Sequence, residues 1–148
     1  MLLLFFLLLA AVYFDVRFFR IPNPLIVLGI ITGLLYRYLL PGELSFYVYP
    51  LGMVGMFLLL IPLYRIHAIG GGDVKLLSVC ALFAGFRTGL SIAVYALCFG
   101  GFFSILYLVY HRFFSKQKQK ERHVIHFSIS VFLGATVQWL WGGFIWQI

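Results

Sequence analysis

Six apolar runs parted by short polar stretches constrain this sequence more than any other feature. They cover roughly Leu2–Phe19, Pro24–Leu40, Phe46–Tyr64, Asp73–Phe86, Gly89–Tyr110 and Ile125–Trp146, with Arg, Pro, Asn, Gly or Lys at the breaks. A helix crossing the hydrocarbon core of a bilayer needs about 20 apolar residues. Backbone in lipid must satisfy its own hydrogen bonds, which favours helices. Of the 148 residues, 64% are hydrophobic and 10% charged, with mean hydropathy +1.06. A soluble domain runs near 45–50% apolar and about 25% charged. Too little polar surface remains to cover a water-soluble globule. The expected fold is all-α: a polytopic membrane protein of about six transmembrane helices, with residues 1–148 forming a single membrane-embedded domain. Met1 leads straight into Leu2–Leu9, and Arg17 and Arg20 follow that run. A secretory signal has the opposite order, so the first run reads as a retained span.

The net charge of +7 sits between the apolar runs. Arg17, Arg20, Arg65, Lys75, Arg112, Lys116, Lys118, Lys120 and Arg122 fall at breaks one, three and five; only Arg37 and Arg87 fall at breaks two and four. Cytoplasmic loops carry the excess of Lys and Arg, so both termini are expected outside and the three basic loops inside. The cluster Arg112-Lys116-Lys118-Lys120-Arg122 suits anionic lipid headgroups. No aromatic-interleaved platform for single strands is present, and no nucleic-acid partner is expected. Cys80 and Cys98 lie inside apolar runs without a CxxC neighbour, and His111, His123 and His126 lack ligand spacing. Neither a metal nor a cofactor is expected. Trp139, Trp141 and Trp146, with Tyr47 and Tyr49, read as interfacial aromatics. Gly100-Gly101 marks a close-packing or bending point.

Four acids are present: Asp15, Glu43, Asp73 and Glu121. Glu43 and Glu121 fall in polar loops. Asp15 and Asp73 adjoin apolar runs on the same, basic side. From Leu2 to Asp15 is about 20 Å of helix, and from Asp73 to Arg87 about 21 Å, against a core of about 30 Å. Both carboxylates are therefore expected a few Å inside the cytoplasmic boundary, where an ionisable group is costly unless functional or paired. Two neighbouring carboxylates do not readily ionise together and share a proton. Such a pair can activate water with one member while the other, protonated, polarises a scissile carbonyl. The same acids could instead carry ions or protons in a small transporter.

Gly70, Gly71 and Gly72 precede Asp73. A glycine run permits unusual dihedrals and close approach of another chain, such as an extended substrate. Gly-Gly-Asp is also a good helix start with Asp73 as N-cap. Neutralisation of Asp15 by Arg17, or of Asp73 by Lys75, is disfavoured because residues two apart on a helix face different ways. His67 reads as an interfacial loop residue.

Asp15, then Ile21-Pro22-Asn23, then Gly70-Gly71-Gly72-Asp73-Val74-Lys75-Leu76 resembles the type IV prepilin peptidases, GxGD-type aspartic proteases of the bacterial inner membrane. The resemblance covers nearly the whole chain. It implies that Asp15 and Asp73 form the catalytic pair, with Gly70, Gly71, Gly72, Lys75, Pro22 and Asn23 in support. It also implies a prepilin, Flp-type or pseudopilin substrate, whose short basic leader is cut at the cytoplasmic face, typically after a glycine. Larger members carry an amino-terminal domain with paired CxxC motifs associated with methyl transfer. This sequence shows none, and peptidase activity without methyltransferase activity is expected. Presenilin and signal peptide peptidase are a poorer likeness, because their Pro-Ala-Leu motif is missing.

Overall fold

The computed structural model describes residues 2–18, 20–39, 46–114 and 127–145. Glu43, the basic stretch Lys116–Arg122, His123, His126 and Trp146 lie outside them. Six helices and no strand occur among the described residues: α1 (Leu2–Phe18), α2 (Asn23–Leu39), α3 (Val48–Arg65), α4 (Gly71–Ala84), α5 (Phe86–Phe114) and α6 (Phe127–Ile145). Each lies within one expected apolar run, give or take a few residues. α3 and α5 are long and apolar enough to cross a membrane.

α4 is the centre of the bundle. Its residues Leu76 to Phe83 are buried without a break, the signature of a helix apolar on every side. It packs on α2, α3, α5 and α6, while α1 lies against α2 and α6. Small residues set these approaches, as in helix packing where lipid offers no hydrophobic drive. A Cβ on Gly134 would stand 2.9 Å from the Ile92 carbonyl oxygen, and one on Gly33 2.8 Å from Leu82 Cδ2. Of the expected pair in α5, Gly100 is close-packed, its Cβ position 2.9 Å from the Phe127 ring, whereas Gly101 faces open space.

The break between the fourth and fifth runs falls at Gly85, ahead of the expected Arg87-Thr88. Gly85 has φ 88° and ψ 161°, a region open essentially to glycine alone. One residue therefore ends α4 and reverses the chain into α5. At this end Arg37 leaves its expected loop role. From the last turn of α2 its guanidinium donates to the Phe83 carbonyl, one of the last carbonyls of α4, which lack helical partners. The guanidinium carbon stands 3.8 Å from the centroid of the Tyr49 ring. Tyr49 is thus buried beneath a cation rather than placed in an aromatic belt; Tyr47, Trp139 and Trp141 are exposed.

α3 ends in a Schellman arrangement. The Ala68 N–H reaches the Leu63 carbonyl at 2.9 Å and the His67 N–H the Tyr64 carbonyl at 3.0 Å. His67 occupies the left-handed position with φ 60°, where glycine is the usual residue. His67→Gly should relieve this conformation and raise stability by up to about 1 kcal/mol. Thermal unfolding in detergent checks it: the variant melts at or above wild type.

Candidate functional site

α1 and α3 end, and α2, α4 and α6 begin, around one cavity of about 800 Å³. Asp15, Arg20, Pro22, Asn23, Gly70, Gly71, Gly72, Asp73 and Lys75 all line it. Every residue singled out from the sequence as catalytic or supporting therefore reaches the same cavity.

Asp15 arrives there by helical periodicity. Leu4, Leu8, Ala11 and Asp15 form one buried stripe of α1, with the repeat that a helix turns toward its core. Asp15 is 8% exposed. Its Oδ2 accepts a hydrogen bond of 2.6 Å from Ser128 Oγ, a fully buried hydroxyl in the first turn of α6. Arg17 lies off this stripe, exposed, and donates to the Tyr13 hydroxyl at 2.8 Å.

Asp73 sits at the third position of α4. The N-cap is Gly70, in extended conformation at φ −71° and ψ 147°, so Asp73 is not the cap that the sequence allowed. The Asp73 and Val74 N–H groups both reach the Gly70 carbonyl at 3.1 Å. A carboxylate in the first turn also meets the positive end of the helix dipole. The glycine run serves space rather than unusual dihedrals, for none of its members has a positive φ. A Cβ on Gly70 would stand 2.9 Å from Asp73 Oδ2, so the carboxylate turns back over a residue with no side chain. A Cβ on Gly71 would come 3.2 Å from the Tyr64 ring.

The segment Ile21-Pro22-Asn23 covers the start of α4. Ile21 is buried against Gly72. The Pro22 carbonyl accepts from the Leu25 N–H as α2 begins. Lys75 Nζ donates to Asn23 Oδ1 at 3.0 Å, tying α4 to the first turn of α2. Both cations adjacent in sequence to the acids thus engage other partners, as spacing by two requires.

The two carboxylates lie within electrostatic reach of each other. Among the described residues, the charged groups lining the cavity are these carboxylates, Arg20 and Lys75. Among the described residues no three His, Cys, Asp or Glu side chains converge as a metal site would need. A largely apolar part of the lining comes from α3, through Phe57, Ile61 and Tyr64. Sequence reading missed this wall and Ser128. The wall carried a faint signal, since Phe57, Ile61 and Tyr64 repeat at helical spacing.

The fold and cavity define an all-helical bundle with an acid-lined cleft at one end. The model of the type IV leader peptidase family matches residues 2–105, and the chain belongs to that family. It is thus a leader-peptidase-type protease in general, with a prepilin-type substrate. The match takes in α1 to α4 and most of α5; α6, with Ser128, lies beyond it. No curated protein and no solved structure matches the chain.

Proposed function

We propose that this protein is an aspartic endopeptidase of the bacterial inner membrane that removes the short basic leader from prepilin, Flp-type or pseudopilin precursors. The observation that carries the reading is the arrival of Asp15 and Asp73, from different helices, at one cavity. One carboxylate takes a proton from water as its oxygen attacks the scissile carbonyl. The other, protonated, donates to that carbonyl oxygen. Collapse of the tetrahedral intermediate breaks the C–N bond, and a proton passes to the departing amine. The glycine N-cap lets the Asp73 carboxylate turn back over it at the cavity wall. The apolar wall from α3 suits the hydrophobic segment that follows a leader.

The chain crosses the bilayer six times in this reading, with both termini outside and the cavity at the cytoplasmic face. Two features support it. The bundle exposes large apolar side chains along most of its length, including Phe6, Leu51 and Leu108 at 69%, 68% and 66%, far more than a soluble surface carries. Arg17, Arg20, Arg65 and Lys75 gather at the cavity end, the side of the basic loops. The leader's own positive charges then rest on anionic headgroups while the unwound segment near the cut enters the cleft.

The test is co-expression with a prepilin-type precursor followed by mass measurement of the product. Loss of the leader mass is expected. Unchanged precursor, together with proton flux in vesicles holding the purified protein, would replace the protease reading with a transporter that uses the same acids.

A further inference from the structure

A fully buried hydroxyl on α6 touches one of the two acids. Ser128 and Ser130 are both completely buried near the start of that helix, two residues apart and so on different faces. Ser128 Oγ donates to Asp15 Oδ2 at 2.6 Å. Ser130 Oγ has no hydrogen-bond partner among the described residues. A donor at 2.6 Å to a carboxylate is a short, charge-assisted bond of the stronger kind. The terminal torsion of aspartate is broad and soft, so the helix carrying Asp15 does not by itself fix where its oxygens point. A buried hydroxyl on a separate, packed helix supplies that constraint.

We propose that Ser128 is a positioning residue for the reaction, locking the rotation of the Asp15 carboxylate so that it faces Asp73 across the cavity. The inference rests on the aspartic protease reading. It assigns a working role to α6, which lies outside the matched family region. Rigid placement matters because a displacement of about 1 Å at a reacting group can lower a rate by about 10²-fold. Hydroxyl loss at Ser128 removes this donor from Asp15 Oδ2 without altering the apolar wall on α3. The rate constant should fall while KM holds. Ser130 is an internal control, for it undergoes the same chemical change on the same helix at equal burial.

The experiment compares Ser128→Ala, Ser128→Thr, Ser130→Ala and Asp15→Asn in detergent. It follows cleavage of a precursor with a basic leader joined to a hydrophobic helix, and thermal unfolding. Expected are a fall in kcat of about 10²-fold for Ser128→Ala, an unchanged KM, a melting temperature lower by only the few degrees that a lost buried bond costs, substantial recovery in Ser128→Thr, and normal kcat in Ser130→Ala. Wild-type kcat in Ser128→Ala would overturn the proposal, as would an equal loss in Ser130→Ala. So would a loss in Ser128→Ala that tracks a lowered melting temperature and persists in Ser128→Thr. Asp15→Asn separates the two levels: if it cleaves normally, the aspartic-pair reading fails; if it is inactive while Ser128→Ala is normal, only the positioning role fails.

Discussion

Asp73→Asn should leave the bundle folded and reduce leader removal by about 10²–10⁴-fold, the range that a positioned acid or base supplies. The substitution keeps the volume and planar shape of the side chain while removing its capacity to exchange a proton. Little structural harm is expected. The carboxylate stands in the first turn of α4, where loss of the favourable helix-dipole interaction costs about 0.3–1 kcal/mol. The Gly70 carbonyl still receives the Asp73 and Val74 backbone N–H groups at the start of the helix. The readout is the mass of a co-expressed precursor, alongside thermal unfolding of the purified variant. Intact precursor with a near-normal melting temperature fits the mechanism. Processing at wild-type rate by Asp73→Asn would remove Asp73 from the chemistry.

The candidate site was legible where local rules were sufficient. Asp15 falls on the stripe of Leu4, Leu8 and Ala11, and that repeat alone points its carboxylate toward the core. Spacing by two likewise turned Arg17 and Lys75 away from the neighbouring acids, and they bond Tyr13 and Asn23 instead. The glycine run was legible as a place for close approach. Which close approach it serves was not, because that depends on the carboxylate of Asp73 turning back over Gly70 and on the ring of Tyr64 from α3. Charge counting placed Arg37 with the opposite loops but could not foresee its contact with the Phe83 carbonyl at the end of α4.

Ser128 was invisible for a different reason. Its partner lies 113 positions earlier, and no periodicity within either helix specifies which face of α6 meets α1. A serine in an apolar run ordinarily returns its hydroxyl to the preceding turn of its own helix, as Ser78 does with the Val74 carbonyl. Only the packing of α6 on α1 separates these outcomes. The boundary of α4 escaped in the same way. A glycine inside an apolar stretch reads as tolerated, and its role as a chain reversal appears only with its φ of 88°.

That reversal makes Gly89→Ala the substitution with the largest expected effect on stability. A Cβ at position 89 would lie 2.6 Å from Ala81 Cβ and 2.7 Å from Ala81 Cα. Its neighbour is therefore the backbone of α4 itself, with no flexible side-chain end to swing aside. The two helices cannot easily part, since Gly85 alone joins them and Ala81 is fully buried among α4's neighbours. Overpacking of a well-filled core costs about 1–3 kcal/mol, occasionally more, and the absence of slack puts this site at the upper end. At about 2–4 °C per kcal/mol for a chain near this size, melting should fall by several degrees. Gly101→Ala is the matched control, because nothing lies within 4 Å of its Cβ position; it should melt at or slightly above wild type, alanine being the better helix former. Thermal unfolding of both in the same detergent decides the matter, and equal melting temperatures would show that the α4–α5 contact is looser than the fold requires. Displacing α4 also moves its first turn. Gly89→Ala should therefore lose part of its leader-removing activity below its melting temperature, where Gly101→Ala keeps all of it.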